Sequence, residues 1–171
     1  MKKLKKINIG VKKVNKIYHI ADVHIRNLKR HKEYREVFSN LYGYILTTME
    51  ENDIIVIAGD IVHAKTDMSP EVVDLTQEFF TRLSDLLPTI VIPGNHDANL
   101  NNSSRLDALT PIVNALKLPR LIYLKESGAW DIGGITFVHQ SVWDKSPGFL
   151  PAANYSGDVK IAMFHGPVDK I

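Results

Sequence analysis

Four short polar segments, each placed directly after an apolar run, constrain this chain more than any other feature. They are Ala21-Asp22-Val23-His24, Gly59-Asp60-Ile61-Val62-His63, Gly94-Asn95-His96-Asp97 and His165-Gly166. Apolar runs of this kind are typical of buried strands, so each segment begins where a strand is predicted to end. Because the carboxyl ends of parallel strands meet at one edge of a sheet, we expect the four segments to form one shared site.

The side chains of these segments are those that proteins use to bind divalent metal ions. The sequence contains no Cys, which excludes a disulfide scaffold and metal centres held by thiolates. Carboxylate, amide and imidazole groups together favour Mn²⁺, Fe²⁺ or Zn²⁺, whereas Mg²⁺ prefers oxygen ligands alone. The segments therefore predict a metal site without sulfur ligands.

The order of these motifs resembles the calcineurin-like metallophosphoesterase superfamily, whose members carry Asp-x-His, Gly-Asp, Gly-Asn-His-Asp/Glu, a lone His and then Gly-His-x-His. The resemblance covers residues 17–166. It implies an α/β fold in which a two-sheet β-sandwich is flanked by helices, and hydrolysis of phosphate esters with two divalent metals about 3.5–4 Å apart. The last motif does not occur before Ile171. We therefore expect a C-terminally incomplete domain with weakened metal binding, little catalytic activity and an open sheet edge near 160–164 that favours self-association.

Finer features resemble the DNA double-strand-break-repair nucleases of the SbcD type. They are Asp22-Val23-His24-Ile25, the helix opening His31-Lys32-Glu33-Tyr34-Arg35, and a histidine, His63, three residues after Asp60. This resemblance implies a metal-dependent DNA nuclease of a repair or recombination complex, with exonuclease and endonuclease activities. It also implies Mn²⁺ as the metal, with Fe²⁺ or Zn²⁺ as alternatives, and three partners: DNA, a second copy of the chain and an SMC-like ATPase.

The spacing of the polar residues suggests how two metals share the ligands. Asp22 and His24 are two residues apart, so in an extended segment both side chains point the same way and serve the first metal. Asp60 follows an apolar strand, and we predict that its carboxylate bridges the two metals. Asn95 offers an amide oxygen and His165 an imidazole, which together with Asp60 would hold the second metal.

The family resemblance also implies the catalytic groups. His96 would be the catalytic histidine, which stabilises the transition state or protonates the leaving oxygen. Asp97 would orient His96 or cap the following turn, and His63 would reach a phosphate oxygen or guide the leaving group. Two further histidines, His19 and His139, belong to predicted strands and are expected to be structural.

Positive charge is concentrated at the start of the chain. Residues 1–35 contain 12 Lys and Arg against 2 Asp and Glu, whereas the whole chain has a net charge of +2. A basic region before an acidic body favours a polyanionic partner, although a solvated basic tail has the same composition. The residues that follow His24 are predicted to contact DNA phosphates at the rim of the site, the alternative being an exposed basic loop without a partner. They are Arg26, Asn27, Lys29 and Arg30.

Apolar periodicity predicts alternating strands and helices followed by a β-rich region. Residues 1–15 are expected to be a basic extension with a short strand at 7–11, and residues 16–171 the metallophosphoesterase domain. The predicted strands are 16–21, 54–58, 89–92, 121–124, 129–132, 135–138 and 160–164; the predicted helices are 32–50, one capped by Ser69, and 105–116; the predicted hairpin turn is Gly133-Gly134; and the predicted loops are 99–104 and 141–157.

Two other functions fit the same motifs. One is hydrolysis of a different phosphate ester, in a phosphoprotein or a cyclic nucleotide, because the same metals would serve. The other is a non-catalytic scaffold on this fold, although the intact ligand set argues against it. The sequence has no apolar stretch of about 18 residues and no secretory signal, so we expect a protein of the cytoplasm or nucleus with no membrane partner.

Overall fold

The chain alternates strands with helices up to residue 116 and continues mainly as short strands. The computed structural model describes residues 4–102, 104–144 and 150–166. The strands are β1 (Lys5–Ile7), β2 (Ile17–Ile20), β3 (Ile54–Ala58), β4 (Thr89–Ile92), β5 (Leu121–Tyr123), β6 (Gly128–Ile132), β7 (Ile135–His139) and β8 (Val159–Met163). The helices are α1 (His31–Thr48), α2 (Pro70–Leu86) and α3 (Leu109–Leu116), with a short 3-10 helix at Ala152–Asn154. Within these described residues, no helix has both the length and the apolar character needed to cross a membrane.

The first sheet is parallel throughout, in the order β2-β3-β4-β5. Its central strands, β3 and β4, are rich in Ile and Val, and every residue of β4 is buried. β-branched residues favour strands, and a strand covered on both faces needs no polar alternation. One face packs on the three helices, where Ile57 meets Phe38 and Phe79 in a common core. The other face packs on the second sheet.

The second sheet is mixed, in the order β1-β6-β7-β8. β6 and β7 form an antiparallel hairpin around Gly133-Gly134, whose φ angles of 56° and 79° glycine adopts without strain. β8 pairs in parallel with β7, and β1 pairs in parallel with β6. Phe137 of this sheet shares a core with Val56 of β3. The predicted architecture, two sheets flanked by helices, is confirmed.

The amino-terminal segment contributes to the second sheet, although we expected residues 1–15 to extend from the domain. Its strand is Lys5–Ile7, which lies earlier than the predicted 7–11 and pairs with the end of β6. Ile7 packs against the core between the sheets, which gives this basic segment an apolar anchor. The backbone amide of Val14 also donates to the carbonyl oxygen of Gly133 (2.8 Å). Residues 1–3, with two of the lysines, lie outside the described residues.

α3 begins at Leu109 and not at the predicted residue 105. The reason is Asp107, whose buried carboxylate accepts hydrogen bonds from the backbone amides of Leu109 (2.9 Å) and Thr110 (2.7 Å). These are amides that the start of a helix leaves without partners. Pro111 falls in the first turn, where proline is tolerated, so the helix is not broken there. Of the predicted loops, residue 103 and residues 145–149 lie outside the described residues.

Candidate metal centre

The polar segments after β2, β3 and β4 meet at one edge of the first sheet. Asp22 follows β2, Asp60 follows β3, and the turn 94–97 follows β4. The first two segments stay paired beyond their strands, because the backbone amide of His24 donates to the carbonyl oxygen of Asp60 over 2.9 Å. This pairing fixes the two segments side by side, as a shared site requires.

Three residues of these segments have a left-handed backbone conformation. They are Asp22 (φ 56°), His24 (φ 50°) and Asp60 (φ 53°). Positive φ is uncommon for residues other than glycine, costs about 1–3 kcal/mol, and is found most often at functional sites. Our reason for the shared direction of Asp22 and His24, alternation in an extended segment, was therefore wrong. Both side chains turn toward Asp60, but from a left-handed backbone.

Four donor groups converge at this edge with the spacing of metal ligands. His24 Nε2 lies 3.6 Å from Asp22 Oδ1 and 3.5 Å from Asp60 Oδ2. His165 Nε2 lies 3.1 Å from Asp60 Oδ2 and 3.8 Å from Asp22 Oδ1. Atoms that bind the same ion, each at about 2.0–2.2 Å from it, lie about as far from one another as these four atoms do. The sequence had grouped His165 with Asn95, whereas the structure brings its imidazole to both carboxylates.

A second group of nitrogen donors, the histidines His24, His63 and His96, lies beside Asp60. The ring centroids of His24 and His96 are 4.8 Å apart, and His63 stacks on His96 at an interplanar angle of 22°. His96 Nε2 is 4.0 Å from Asp60 Oδ2. Among the described residues, the buried Nδ1 atoms of His24 and His63 have no hydrogen-bond partner. Buried polar atoms are normally paired, so these two nitrogens remain open to a ligand.

Two glycines allow the close approach of these side chains. Gly59 has a φ of 82°, and a Cβ atom there would lie 2.5 Å from Cγ of His165. A Cβ atom at Gly94 would collide with the carboxylate of Asp60. The donor set, its convergence and the space that the glycines leave therefore fit divalent metal ions. Asn95 follows Gly94 in the half-buried turn after β4, which is the position predicted for an amide ligand.

Backbone carbonyls fix the orientation of two of the imidazoles. His96 Nδ1 lies 2.6 Å from the carbonyl oxygen of His63, and His165 Nδ1 contacts the carbonyl oxygen of Ala58. A carbonyl oxygen accepts only, so Nδ1 donates in both rings and Nε2 is left for a ligand or a proton. The backbone amide of His96 in turn donates to Asp60 Oδ1 (2.9 Å).

Among the described residues, the carboxylate of Asp97 accepts neither from His96 nor from the turn that follows it, so neither of the two roles predicted for it is seen. Its carboxylate is fully buried and accepts hydrogen bonds from three backbone amides: Ile61 (3.2 Å), Val62 (2.9 Å) and Gly94 (2.8 Å). Burial raises the pKa of Asp97 to about 6; the three amides oppose this rise and a nearby carboxylate adds to it. Asp97 thus ties the segment after β3 to the turn after β4 and is a positioning residue.

His63 is placed to act as a neutral group. Burial lowers its pKa below the ordinary value for histidine, and the charge of Arg26 and the neighbouring His24 and His96 act in the same direction. A neutral ring can donate or accept a hydrogen bond at a phosphate oxygen. This placement is compatible with either role that the sequence suggested for His63.

The segment between His24 and α1 presents most of the predicted DNA contacts to solvent. Arg26, Lys29 and Arg30 are exposed, whereas Asn27 is half-buried and donates to the carboxylate of Asp67. The Asn27 amide thereby helps to hold the loop, and its contact with DNA stays a prediction. The exposed basic side chains remain candidates for phosphate contacts.

Two features of the site were missed in the sequence. The hydroxyl of Tyr34 donates to the carbonyl oxygen of His24 (2.5 Å) and so holds the first segment against α1. The carbonyl oxygen of Ala58 orients His165. Tyr34 could have been found from the sequence, because it belongs to the helix opening on which the resemblance rests. The role of a backbone carbonyl cannot be found from the sequence, because every residue has one.

Comparisons with known proteins agree with this site. The sequence profile of the family described as Calcineurin-like phosphoesterase matches residues 15–170. An uncharacterized protein of Acanthamoeba polyphaga mimivirus is 46% identical over 164 residues, which cover 89% of this chain and 12% of that protein. The chain thus spans a small part of that relative.

Two solved structures have a weaker likeness. The nuclease MPE of Pseudomonas putida is 20% identical with a TM-score of 0.43, covering 72% of this chain and 54% of that one. A protein of unknown function from Aquifex aeolicus is 16% identical with a TM-score of 0.34, covering 74% and 61%. The profile match is the comparison that decides, because it spans every converging donor from Asp22 to His165, and it makes the chain a member of the calcineurin-like phosphoesterase family.

Proposed function

We propose that this chain hydrolyses phosphodiester bonds in DNA with two divalent metal ions, of which Mn²⁺ is the first candidate. Family membership supports phosphoester hydrolysis in general. The observation that carries the proposal is the convergence of Asp22, His24, Asp60 and His165, with His96 Nε2 4.0 Å from the same Asp60 oxygen. In this proposal His96 is the proton-transfer group, and the four converging residues are the groups that would bind metal.

The donor groups suggest how the chain would hold the metals. The side chains of Asp22, His24 and His165 lie on one side of Asp60, and we assign them to the first metal. Asp60 also borders the histidine group and Asn95, so its carboxylate is the group able to serve both positions. Bound divalent ions supply positive charge at phosphoryl oxygens and lower the pKa of a water molecule.

The remaining chemistry falls to side chains of the chain itself. His96 Nδ1 donates to the His63 carbonyl, so Nε2 is the atom that faces the reaction. When the ring carries a proton on both nitrogens, Nε2–H would give its proton to the departing 3′ oxygen and leave the ring neutral. His63, stacked on His96, offers a hydrogen bond to a phosphate oxygen. Asp97 holds the two loops that carry Asp60 and His96 in fixed relation.

Charge supports nucleic acid as the substrate. Arg26, Lys29 and Arg30 are exposed beside the site, in the region of the chain that holds 12 basic residues against 2 acidic ones. Such side chains position a strand through its phosphates without reading its sequence. The proposal extends to the setting that the sequence resemblance implies: repair or recombination of DNA in the cytoplasm or nucleus, as a homodimer with an SMC-like ATPase.

A substrate panel tests this function. The protein with excess Mn²⁺ is incubated with end-labelled duplex and single-stranded DNA, bis(p-nitrophenyl) phosphate, p-nitrophenyl phosphate and a phosphoprotein. We expect low overall turnover, as the sequence predicts, with the two DNAs and the diester cleaved faster than the monoester. Asp60→Asn is the matched control, because it keeps the shape of the side chain, removes its charge and should abolish turnover. Intact DNA together with dephosphorylated protein would overturn the proposal.

A further inference from the structure

An apolar groove of about 400 Å³ lies between the end of β2 and α1 and opens beside Asp22. Its lining includes Ile20, Val23, Tyr34, Val37, Phe38 and Phe79. Phe38 and Phe79, with ring centroids 4.4 Å apart, are buried beneath the lining, whereas Ile20, Val23 and Tyr34 are half-buried at its surface. The volume is within the range of about 300–1,000 Å³ that is typical of small-molecule sites.

The rim of the groove carries charge of both signs. Arg30 and Glu33 line it, with Arg30 Nε 3.7 Å from the carboxylate of Glu33. Val37 also lines it and is 60% exposed, so this side of the groove is open to solvent. Asp22 belongs both to this lining and to the metal centre, so the two sites are continuous.

We propose that the groove is a subsite for the nucleobase of a nucleotide whose phosphate lies at the metal centre. The inference rests on the proposed function. A base has a flat apolar body, which suits an aromatic and aliphatic lining, and polar edges, which suit the charged rim. Arg30 complements the adjoining phosphates, and Glu33 accepts a hydrogen bond from an exocyclic amino group. The continuity through Asp22 places base and phosphate on neighbouring surfaces.

The experiment compares two ligands that differ only in the base. Equilibrium binding of dAMP and of 2-deoxyribose 5-phosphate is measured for the protein with Mn²⁺. Contact of a base with one aromatic side chain, here the half-buried Tyr34, is worth about 1–3 kcal/mol, so we expect dAMP to bind about tenfold more tightly. Val37→Trp fills the groove from the exposed face of α1 and should reduce this preference to near unity.

Leu46→Trp is the matched control, since Leu46 is 58% exposed on the same helix and does not line the groove. This variant should keep the full preference for dAMP. Equal binding of the two ligands to the unaltered protein, or a preference that persists in Val37→Trp, would overturn the inference. If DNA is cleaved but dAMP is not preferred, only the proposal for the groove is overturned. If dAMP is preferred but no substrate is cleaved, the proposed function is overturned and the groove is still a nucleotide site.

Discussion

The backbone of Gly59 lies directly against the imidazole of His165, so that a Cβ atom on this glycine would be 2.5 Å from Cγ of the histidine. Gly59 also has a φ of 82°, which other residues adopt only with strain. The contact brings a residue from the end of the described chain within 3.1 Å of Asp60, the residue that follows Gly59. Metal binding should therefore depend on a position that offers no ligand.

Gly59→Ala should weaken metal binding by about 10- to 100-fold, the usual effect of disturbing the groups that orient a ligand. The added methyl group displaces the His165 ring while every ligand stays in the sequence. Titration with Mn²⁺ measures the change. Gly43→Ala in α1 is the control, because a Cβ atom there meets nothing within 4 Å and alanine favours helix. Equal affinity in both variants would show that the Gly59 contact is dispensable.

His96→Ala should leave Mn²⁺ binding near normal and lower the rate of diester hydrolysis by about 10²–10⁴, the range for loss of a general acid. The reason is that Asp22, His24, Asp60 and His165 converge without His96 and stay in place when it is removed. Metal titration and turnover are measured on the same preparation. His19→Ala, at an exposed position of β2, serves as control. Loss of metal from His96→Ala would instead make this residue a ligand.

The sequence predicted which residues form the site but not all of their roles. Asp22 and Asp60 could be found because strand ends of a parallel sheet share one edge. His165 follows β8 of the second sheet, so the sequence predicted its place in the site for a reason that the fold does not bear out. Asp97 has the same position and chemistry as a catalytic carboxylate. What makes it a positioning residue is the set of backbone amides around it, which belong to other segments and have no sequence signature.

The same limit applies elsewhere in the chain. The basic residues around Asn27 predict a contact with DNA, yet its amide donates a hydrogen bond to Asp67, which is 40 residues away in the sequence. The basic residues of 1–15 favoured an extension, yet Lys5–Ile7 pairs with β6 and Ile7 packs between the sheets. Local pattern therefore located the elements, whereas long-range pairing decided what individual polar side chains do.

Asp97→Ala should destabilise the fold by about 3 kcal/mol or more, since it leaves three buried backbone amides without an acceptor at about 1–3 kcal/mol each. Denaturant unfolding measures the loss. Asp85→Ala, at an exposed position of α2, should change the free energy of unfolding by less than about 0.5 kcal/mol. If Asp97→Ala keeps its stability and loses only turnover, Asp97 is a catalytic residue and the positioning role is wrong.

Replacing Arg26, Lys29 and Arg30 together by Gln should weaken DNA binding uniformly across sequences. Each lost phosphate contact reduces the slope of log K against log salt by about 0.9, so the slope should fall by about 2–3. Fluorescence anisotropy at several salt concentrations measures it. Lys117→Gln is the control, because Lys117 precedes β5 at the opposite edge of the sheet from the metal centre. An unchanged slope in the triple variant would show that these three side chains do not contact DNA phosphates.

His139 should make the fold less stable as the pH falls, independently of the metal centre. Its ring is fully buried, Nδ1 donates to the carbonyl oxygen of Glu126 (3.2 Å), and Nε2 has no partner among the described residues. Burial therefore lowers the pKa of His139 from 6.5 to about 4, against the smaller opposing effects of the Glu126 carbonyl and Asp144. Protonation would require a second N–H, on Nε2, that no atom of the described residues accepts.

The unfolded chain takes up this proton near its ordinary pKa, whereas the folded chain takes it up only near pH 4. Stability contributed by neutral His139 is therefore present above the unfolded pKa and is lost between the two values. From about pH 7 to about pH 5 the loss should be about 2 kcal/mol, measured by denaturant unfolding at both pH values. His139→Phe cannot titrate, so its stability should fall by about 2 kcal/mol less over the same range. Parallel losses in the two proteins would show that His139 is protonated in the folded state and that its burial does not exclude the charge.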